Sequence, residues 1–243
     1  MRFRISDPVR HVIRIFLILL ALEAIYVLVQ LGIGLWFIRF GLKTGLITVT
    51  EALLKNVGSY GLLWIVPGIP TVLLCLMLLI FYVKRTREQP LAEYFHLRTV
   101  PWNSVGFWLG LTGLYLLADH FADTSGVSED MAYTYQTARY MTLLWILITV
   151  LGPVYEEMLY RGFLLTELSA THLRQFWVVL IPAVIWTIGH VEFDPGRFLF
   201  ILGLGILLGY ARVRTGSLIL PIGMHSFVNA VVTILQLWEL RGR

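Results

Sequence analysis

Seven stretches of this chain, at roughly residues 12–38, 60–83, 102–120, 141–166, 175–191, 198–213 and 218–238, are too predominantly apolar to be matched to water. Crossing a bilayer takes about 20 such residues. Hydrophobic residues make up 58% of the chain and charged ones 14%, and the mean hydropathy is +0.77, which excludes a soluble globular domain and a disordered segment. In lipid each backbone polar group needs an internal partner, so only helices and closed barrels can span. Runs this long and without alternation are helical. The expectation is all-α: a polytopic transmembrane helix bundle of about seven spans, within a range of six to eight. Residues 1–243 are expected to form a single integral membrane domain, in which the fifth and sixth segments, beside Pro182 and Pro195, have room to be tilted or partly re-entrant.

The net charge of +4 and pI near 9.3 do not indicate nucleic acid, because no basic run is interleaved with aromatics outside the apolar segments. The basic residues read as topology signals. Arg2, Arg4, Arg10 and Arg14 precede the first apolar segment, Lys84, Arg85, Arg87 and Arg98 follow the second, and the region from Asp119 to Asp130 is acidic. That alternation predicts a cytoplasmic amino-terminus, a cytoplasmic connector over 84–101 and an acidic connector over 121–140 on the opposite side. The first segment reads as a retained helix, not a cleaved signal peptide, since no small-residue cleavage site follows a short apolar core. A prokaryotic plasma (inner) membrane suits the chain, with the endoplasmic reticulum as the alternative. Cys75 is the single cysteine, so no intramolecular disulfide forms.

The chemistry is expected at residues 150–230, with the catalytic helices at about 141–238. Pro153 to Phe163 places Glu156, Glu157 and Arg161 inside an apolar run. Each such group costs about 2.5–3.5 kcal/mol at the bilayer centre on insertion scales, so three require a reason. Glu157 and Arg161 are i and i+4 with the acid first, the favourable order for a pair on one helix face. Glu156 points about 100° away and is expected to face a polar cavity. The alternative is an interfacial helix end with all three groups in water. Trp186 and His190 share one face of a second helix, and His225 and Asn229 share one face of the last. Singly, each pair has an ordinary reading as core packing or interhelical hydrogen bonding. Together they offer a carboxylate, two imidazoles and an amide to one cavity, a set able to activate water and stabilise an oxyanion.

The ordered trio, Glu156-Glu157-x-x-x-Arg161, an aromatic-x-x-x-His190 and His225-x-x-x-Asn229, resembles the CAAX protease and bacteriocin-processing family of intramembrane endopeptidases, the Rce1-like and Abi-like proteins, over about residues 140–235. The resemblance implies hydrolysis of a peptide bond in a prenylated CAAX-type or other membrane-associated peptide or protein. Glu156 and His190 would activate water, and His225 and Asn229 would stabilise the oxyanion. Glu157 and Arg161 match the remaining motif positions, for which the spacing suggests an architectural role. Trp186 stands where the family usually has Phe. Glu156, His190 and His225 would also make an adequate zinc set, but Asn229 is a poor zinc ligand, so metal-free hydrolysis without a cofactor is expected.

Other hydrolytic signatures are missing: there is no H-E-x-x-H, no G-x-S-x-G and no pair of intramembrane aspartates. His190-Val191-Glu192 cannot belong to a zinc deaminase, which needs two further cysteines. Glu23 and Gln30 on the first segment, and Asp119 and His120 closing the third, are expected to be bundle-facing or interfacial. Two other classes compete. A proton-coupled carrier would also use intramembrane Glu and His, but carriers tend to show internal repeats, and none is visible here. A catalytically silent interaction or immunity protein would keep the bundle without needing Glu156, His190, His225 and Asn229 intact. Expected partners are the lipid bilayer and a peptide or lipidated protein substrate.

Overall fold

The computed structural model describes residues 7–48, 50, 53, 55–121, 129–190 and 195–242. Arg2, Arg4, Asp123 and Glu192 lie outside the described residues. The principal helices are α1 (Asp7–Thr44), α2 (Gly61–Thr86), α3 (Trp102–Phe121), α4 (Glu129–Thr137), α5 (Met141–Ser169), α6 (Gln175–Gly189), α7 (Pro195–Thr215) and α8 (Ile219–Gly242). Seven of them fall on the seven apolar stretches. Among the described residues, five are long and apolar enough to cross a membrane: α1, α2, α5, α7 and α8. α3 has 20 residues, but it opens on Trp102, Asn103 and Ser104 and closes on Asp119 and His120, which dilutes its hydropathy. α6 is strongly apolar but has only 15 residues, short of a full crossing.

Both predicted connectors are partly helical, the first over Leu91–Tyr94. Within 121–140, residues Glu129–Thr137 form α4. Glu129 and Asp130 sit in its first turn, where carboxylates oppose the helix dipole, and Thr134 and Tyr135 are buried. α4 packs on α2 through Thr134 Oγ1 donating to Ser59 O at 2.8 Å and Gly61 N donating to Thr137 Oγ1 at 2.8 Å. Tyr135 Oη donates to Gln236 Oε1 of α8 at 2.9 Å. These contacts gather the start of α2, α4 and the end of α8 at one end of the bundle.

The opposite end is basic. Glu167, near the end of α5, accepts from Arg87 Nη2 at 2.5 Å and from Tyr94 Oη at 2.6 Å, and lies 3.4 Å from His11 Nε2. The connector after α2 is fastened to the α7–α8 turn by Leu218 N donating to His96 O at 3.0 Å and Arg98 Nε donating to Gly216 O at 2.6 Å.

α5 runs through the centre of the bundle, with Leu159, Phe163 and Leu164 fully enclosed. It is not a regular α-helix. Its turns widen to π-helical geometry over Leu147–Leu151 and again over Met158–Leu164. The first widening immediately precedes Gly152 and Pro153; a proline ring cannot sit against the carbonyl four residues earlier and supplies no N–H to it. Such widened turns re-aim side chains and recur at functional sites.

Candidate active site

Glu156 and Glu157 diverge as the helical geometry requires. Glu157 turns into the core with 0% exposure, as does Arg161. Arg161 Nη1 donates to Glu157 Oε1 at 2.8 Å and Nη2 donates to the Gly205 carbonyl of α7 at 3.0 Å. The guanidinium lies 4.7 Å from the Trp186 ring centroid, within cation–π range. Gly205 eases this approach: a Cβ there would press at 3.1 Å on Ala183 Cβ and at 3.1 Å on Trp186 Cε3. Glu157 Oε1 also accepts from His225 Nδ1 at 3.0 Å. The Glu157–Arg161 pair therefore ties α5 to α7 and α8.

Glu156 faces elsewhere. Its Oε2 accepts a 2.5 Å hydrogen bond from Trp186 Nε1 of α6. Trp186 is the hinge of the site, with its ring edge-on to His190 at 4.7 Å and to His225 at 5.3 Å between centroids. His190 caps the end of α6, and its Nδ1 is 2.8 Å from the Trp186 carbonyl. A carbonyl only accepts, so Nδ1 carries the proton and Nε2 is left for other partners. His225 Nδ1–H likewise donates to the Glu157 carboxylate, again leaving Nε2. Asn229 Nδ2 donates to Ile148 O at 2.9 Å, a carbonyl within the first widened turn of α5. The ordinary reading of Asn229 as an interhelical tie is thus realised through one N–H. An amide has two, and Asn229 also lines the cavity.

Glu156, Trp186, His190, His225 and Asn229 line one cavity of about 280 Å³. A second, of about 180 Å³, lies on the α1 side and shares Glu156, Trp186 and His190 with it. Every predicted site residue is accordingly in or against one region, with Glu157 and Arg161 enclosed behind it. Asp119, expected to be bundle-facing or interfacial, is buried and lines the larger cavity together with Arg197, which sequence reasoning missed along with the part played by Glu23. Glu23 Oε1 of α1 accepts from Tyr160 Oη at 2.7 Å and faces the smaller cavity. The signal was its position as an acid in the middle of a long apolar helix. Among the described residues, no three His, Cys, Asp or Glu side chains converge closely enough to hold a metal ion.

Residues 138–231 match the profile of the type II CAAX prenyl endopeptidase Rce1-like family. The carboxy-terminal helices resemble that family. The matched segment holds α5 to α8 up to Val231, and thus Glu156, Glu157, Arg161, Trp186, His190, His225 and Asn229; it leaves out α1 to α4. An uncharacterised 24.3 kDa protein of Escherichia coli is 27% identical over 153 residues, 61% of this chain and 70% of that one. YdiL of Bacillus subtilis (strain 168), provisionally named a membrane peptidase, is 25% identical over 147 residues, 59% of each chain. The membrane-embedded CAAX protease MroQ of Staphylococcus aureus (strain USA300) is 25% identical over 146 residues, 57% of this chain and 58% of that protein. The matches to YdiL and MroQ thus span less than two thirds of those proteins. No solved structure matches the chain.

Proposed function

We propose that this integral membrane protein is an intramembrane endopeptidase that hydrolyses a peptide bond of a membrane-associated peptide or protein. The observation that carries the reading is a carboxylate inside an apolar bundle, Glu156, fixed by Trp186 and lining one cavity with His190, His225 and Asn229. The Rce1-like profile over the same helices supports it.

In this mechanism a water in the cavity loses a proton to Glu156 as its oxygen attacks the scissile carbonyl. Neutral His190, protonated on Nδ1, accepts from the same water through Nε2 and aligns it. As the carbonyl becomes an oxyanion, the second Asn229 N–H and the Nε2 edge of His225, whose ring Glu157 holds through Nδ1, stabilise it. Glu156 then returns its proton to the departing amine, so that acid and base roles alternate on one group. Glu157 and Arg161 hold the frame. No step passes through a metal.

The gathering of Arg87, Tyr94, Arg98 and Glu167 at one end of the bundle supports a cytoplasmic amino-terminus in a bacterial plasma membrane, with α4 on the other side. The reading is tested by incubating the purified protein in detergent with a prenylated CAAX peptide and with an unprenylated leader peptide. Cleavage of one alone assigns the substrate type. Cleavage of neither, by wild-type protein of native stability, removes the reading.

A further inference from the structure

The smaller cavity, beside the proposed catalytic carboxylate, is built from an unusual set of groups. Glu23, Tyr26, Tyr155, Glu156, Tyr160 and Trp186 line about 180 Å³, so that two carboxylates and four aromatic rings enclose a space fit for a small side chain. Tyr26 and Tyr155 stack with centroids 5.6 Å apart and planes within 6°. Tyr160 Oη fixes Glu23. Among the described residues, no lysine or arginine pairs with Glu23 or Glu156, and the neighbouring Arg161 is already held by Glu157, the Gly205 carbonyl and the Trp186 ring.

An unpaired carboxylate in a lipid-embedded, low-dielectric space is costly, and a second one beside it adds repulsion. A bound cation relieves both. Aromatic faces around a carboxylate are also the chemistry by which ammonium groups are recognised. A further observation points to an occupant: Tyr155 is 4% exposed, and its buried hydroxyl has the Cys75 thiol beside it but no oxygen or nitrogen partner.

We infer that this cavity is a subsite for a cationic side chain of the substrate, a lysine ammonium, held by Glu23 and ringed by Tyr26, Tyr155, Tyr160 and Trp186. An ammonium fits better than a guanidinium. Its compact charge needs no planar fork of acceptors, and one Glu23 oxygen already serves Tyr160. Because Glu156, Trp186 and His190 belong to both cavities, the lysine lies within a residue or two of the bond that is cut. The site depends on α1, outside the Rce1-like segment, and so can differ between proteins that share the catalytic helices.

This inference rests on the proteolytic reading for its place in catalysis, but the subsite can be tested apart from it. The first arm uses the full-length protein in detergent and a membrane peptide in which a single lysine is walked along the sequence, each with a norleucine twin. Lysine at one position raises kcat/KM by about 10-fold over its twin, and Glu23→Gln brings that ratio to near one. Equal cleavage of all the twins by wild type overturns the subsite while leaving the protease intact, and so does a lysine preference that survives in Glu23→Gln. The second arm measures quenching of tryptophan fluorescence by n-pentylammonium chloride, with n-pentanol as the neutral control. Saturable binding of the ammonium alone, weakened about 10-fold or more in Glu23→Gln, supports the subsite even if no peptide is cleaved. No saturable response in wild type, or an equal response in the variant, overturns it. Should Glu23→Gln unfold, Tyr26→Leu, which removes one ring and keeps both carboxylates, must weaken the same binding.

Discussion

Trp186 Nε1 donates to Glu156 Oε2 across 2.5 Å, and the indole it belongs to also lies under the Arg161 guanidinium and edge-on to both histidines. A single side chain of α6 thereby places the carboxylate of α5 relative to His190 and His225. Phenylalanine at this position would keep the ring and lose the donor. In this chain the indole N–H takes up one carboxylate oxygen and leaves the other toward the cavity.

Glu156→Gln is the direct test of the base. The amide oxygen of glutamine can still accept from Trp186, so the side chain stays in place while its ability to take a proton is removed. Cleavage is expected to fall by about 10²–10⁴-fold, the usual contribution of a positioned base, with the melting temperature preserved. Retention of more than about a tenth of kcat would end this assignment.

The division of labour within the Glu156-Glu157 pair was legible in the sequence, because i,i+4 spacing tied Glu157 to Arg161 and helical geometry sent Glu156 elsewhere. Its depth was not. That Glu157 also accepts from His225 Nδ1 depends on how α8 crosses α5, and a crossing leaves no mark on either segment alone. Helix α4 was hidden for another reason: nine residues with only Thr134 and Tyr135 buried carry too little periodic apolar signal to stand out from a polar connector. The widened turns of α5 were also out of reach, since Pro153 announces a disturbance but not its form. Glu23 was noticed as an intramembrane acid, but only the packing of α1 shows that it faces the cavity beside Glu156.

Glu157→Gln should fail differently from Glu156→Gln. Removing the charge leaves Arg161, at 0% exposure, with no counter-ion, and breaking one side of a buried pair costs about 3–5 kcal/mol. The loss will register first as a lower melting temperature in detergent, with activity following the folded fraction. A variant that melts with wild type would show that the pair does not hold the bundle.

Topology has its own check. With Cys75 replaced by alanine, single cysteines at Glu88 and Glu129 report the two ends of the bundle. A membrane-impermeant maleimide added to intact cells should label position 129 and spare position 88, because the basic end is expected in the cytoplasm. The reverse pattern would invert the protein in its membrane.

The connector after α2 predicts a pH response outside the catalytic site. His96, at φ 52°, is held below the ordinary histidine value by burial, then by the charges of Arg212 and Arg98, with Glu93 acting weakly the other way. The folded protein therefore binds its proton less readily than the unfolded chain, whose value lies near 6.5. Stability from this group is present above about pH 6.5 and is lost as the pH falls from there toward the lower folded value. The melting temperature should drop between about pH 7.5 and 5.5, and His96→Asn, which tolerates the left-handed backbone, should flatten that drop. An identical slope in the variant would place the pH dependence elsewhere.

The oxyanion assignment makes the most discriminating kinetic forecast. Asn229 spends one N–H on Ile148 O, so Asn229→Ala removes both an interhelical tie and the proposed donor, and the two losses read out separately. The tie is a single neutral hydrogen bond, with a net contribution of about 1 kcal/mol to stability, visible as a modest fall in melting temperature. The donor acts on charge that exists mainly in the transition state, so kcat per folded molecule should fall by about 10²–10³-fold with KM little changed. His225 shares the oxyanion in this mechanism through Nε2, and replacing it with alanine should produce the same kind of loss. A zinc mechanism would instead use His190 and His225 as ligands, so that strong chelators inactivate and added zinc restores. Full activity after exhaustive chelation, without stoichiometric metal by elemental analysis, is the expected result. Inactivation reversed by zinc would move the attacking oxygen onto a metal-bound water and leave Glu156 as its base.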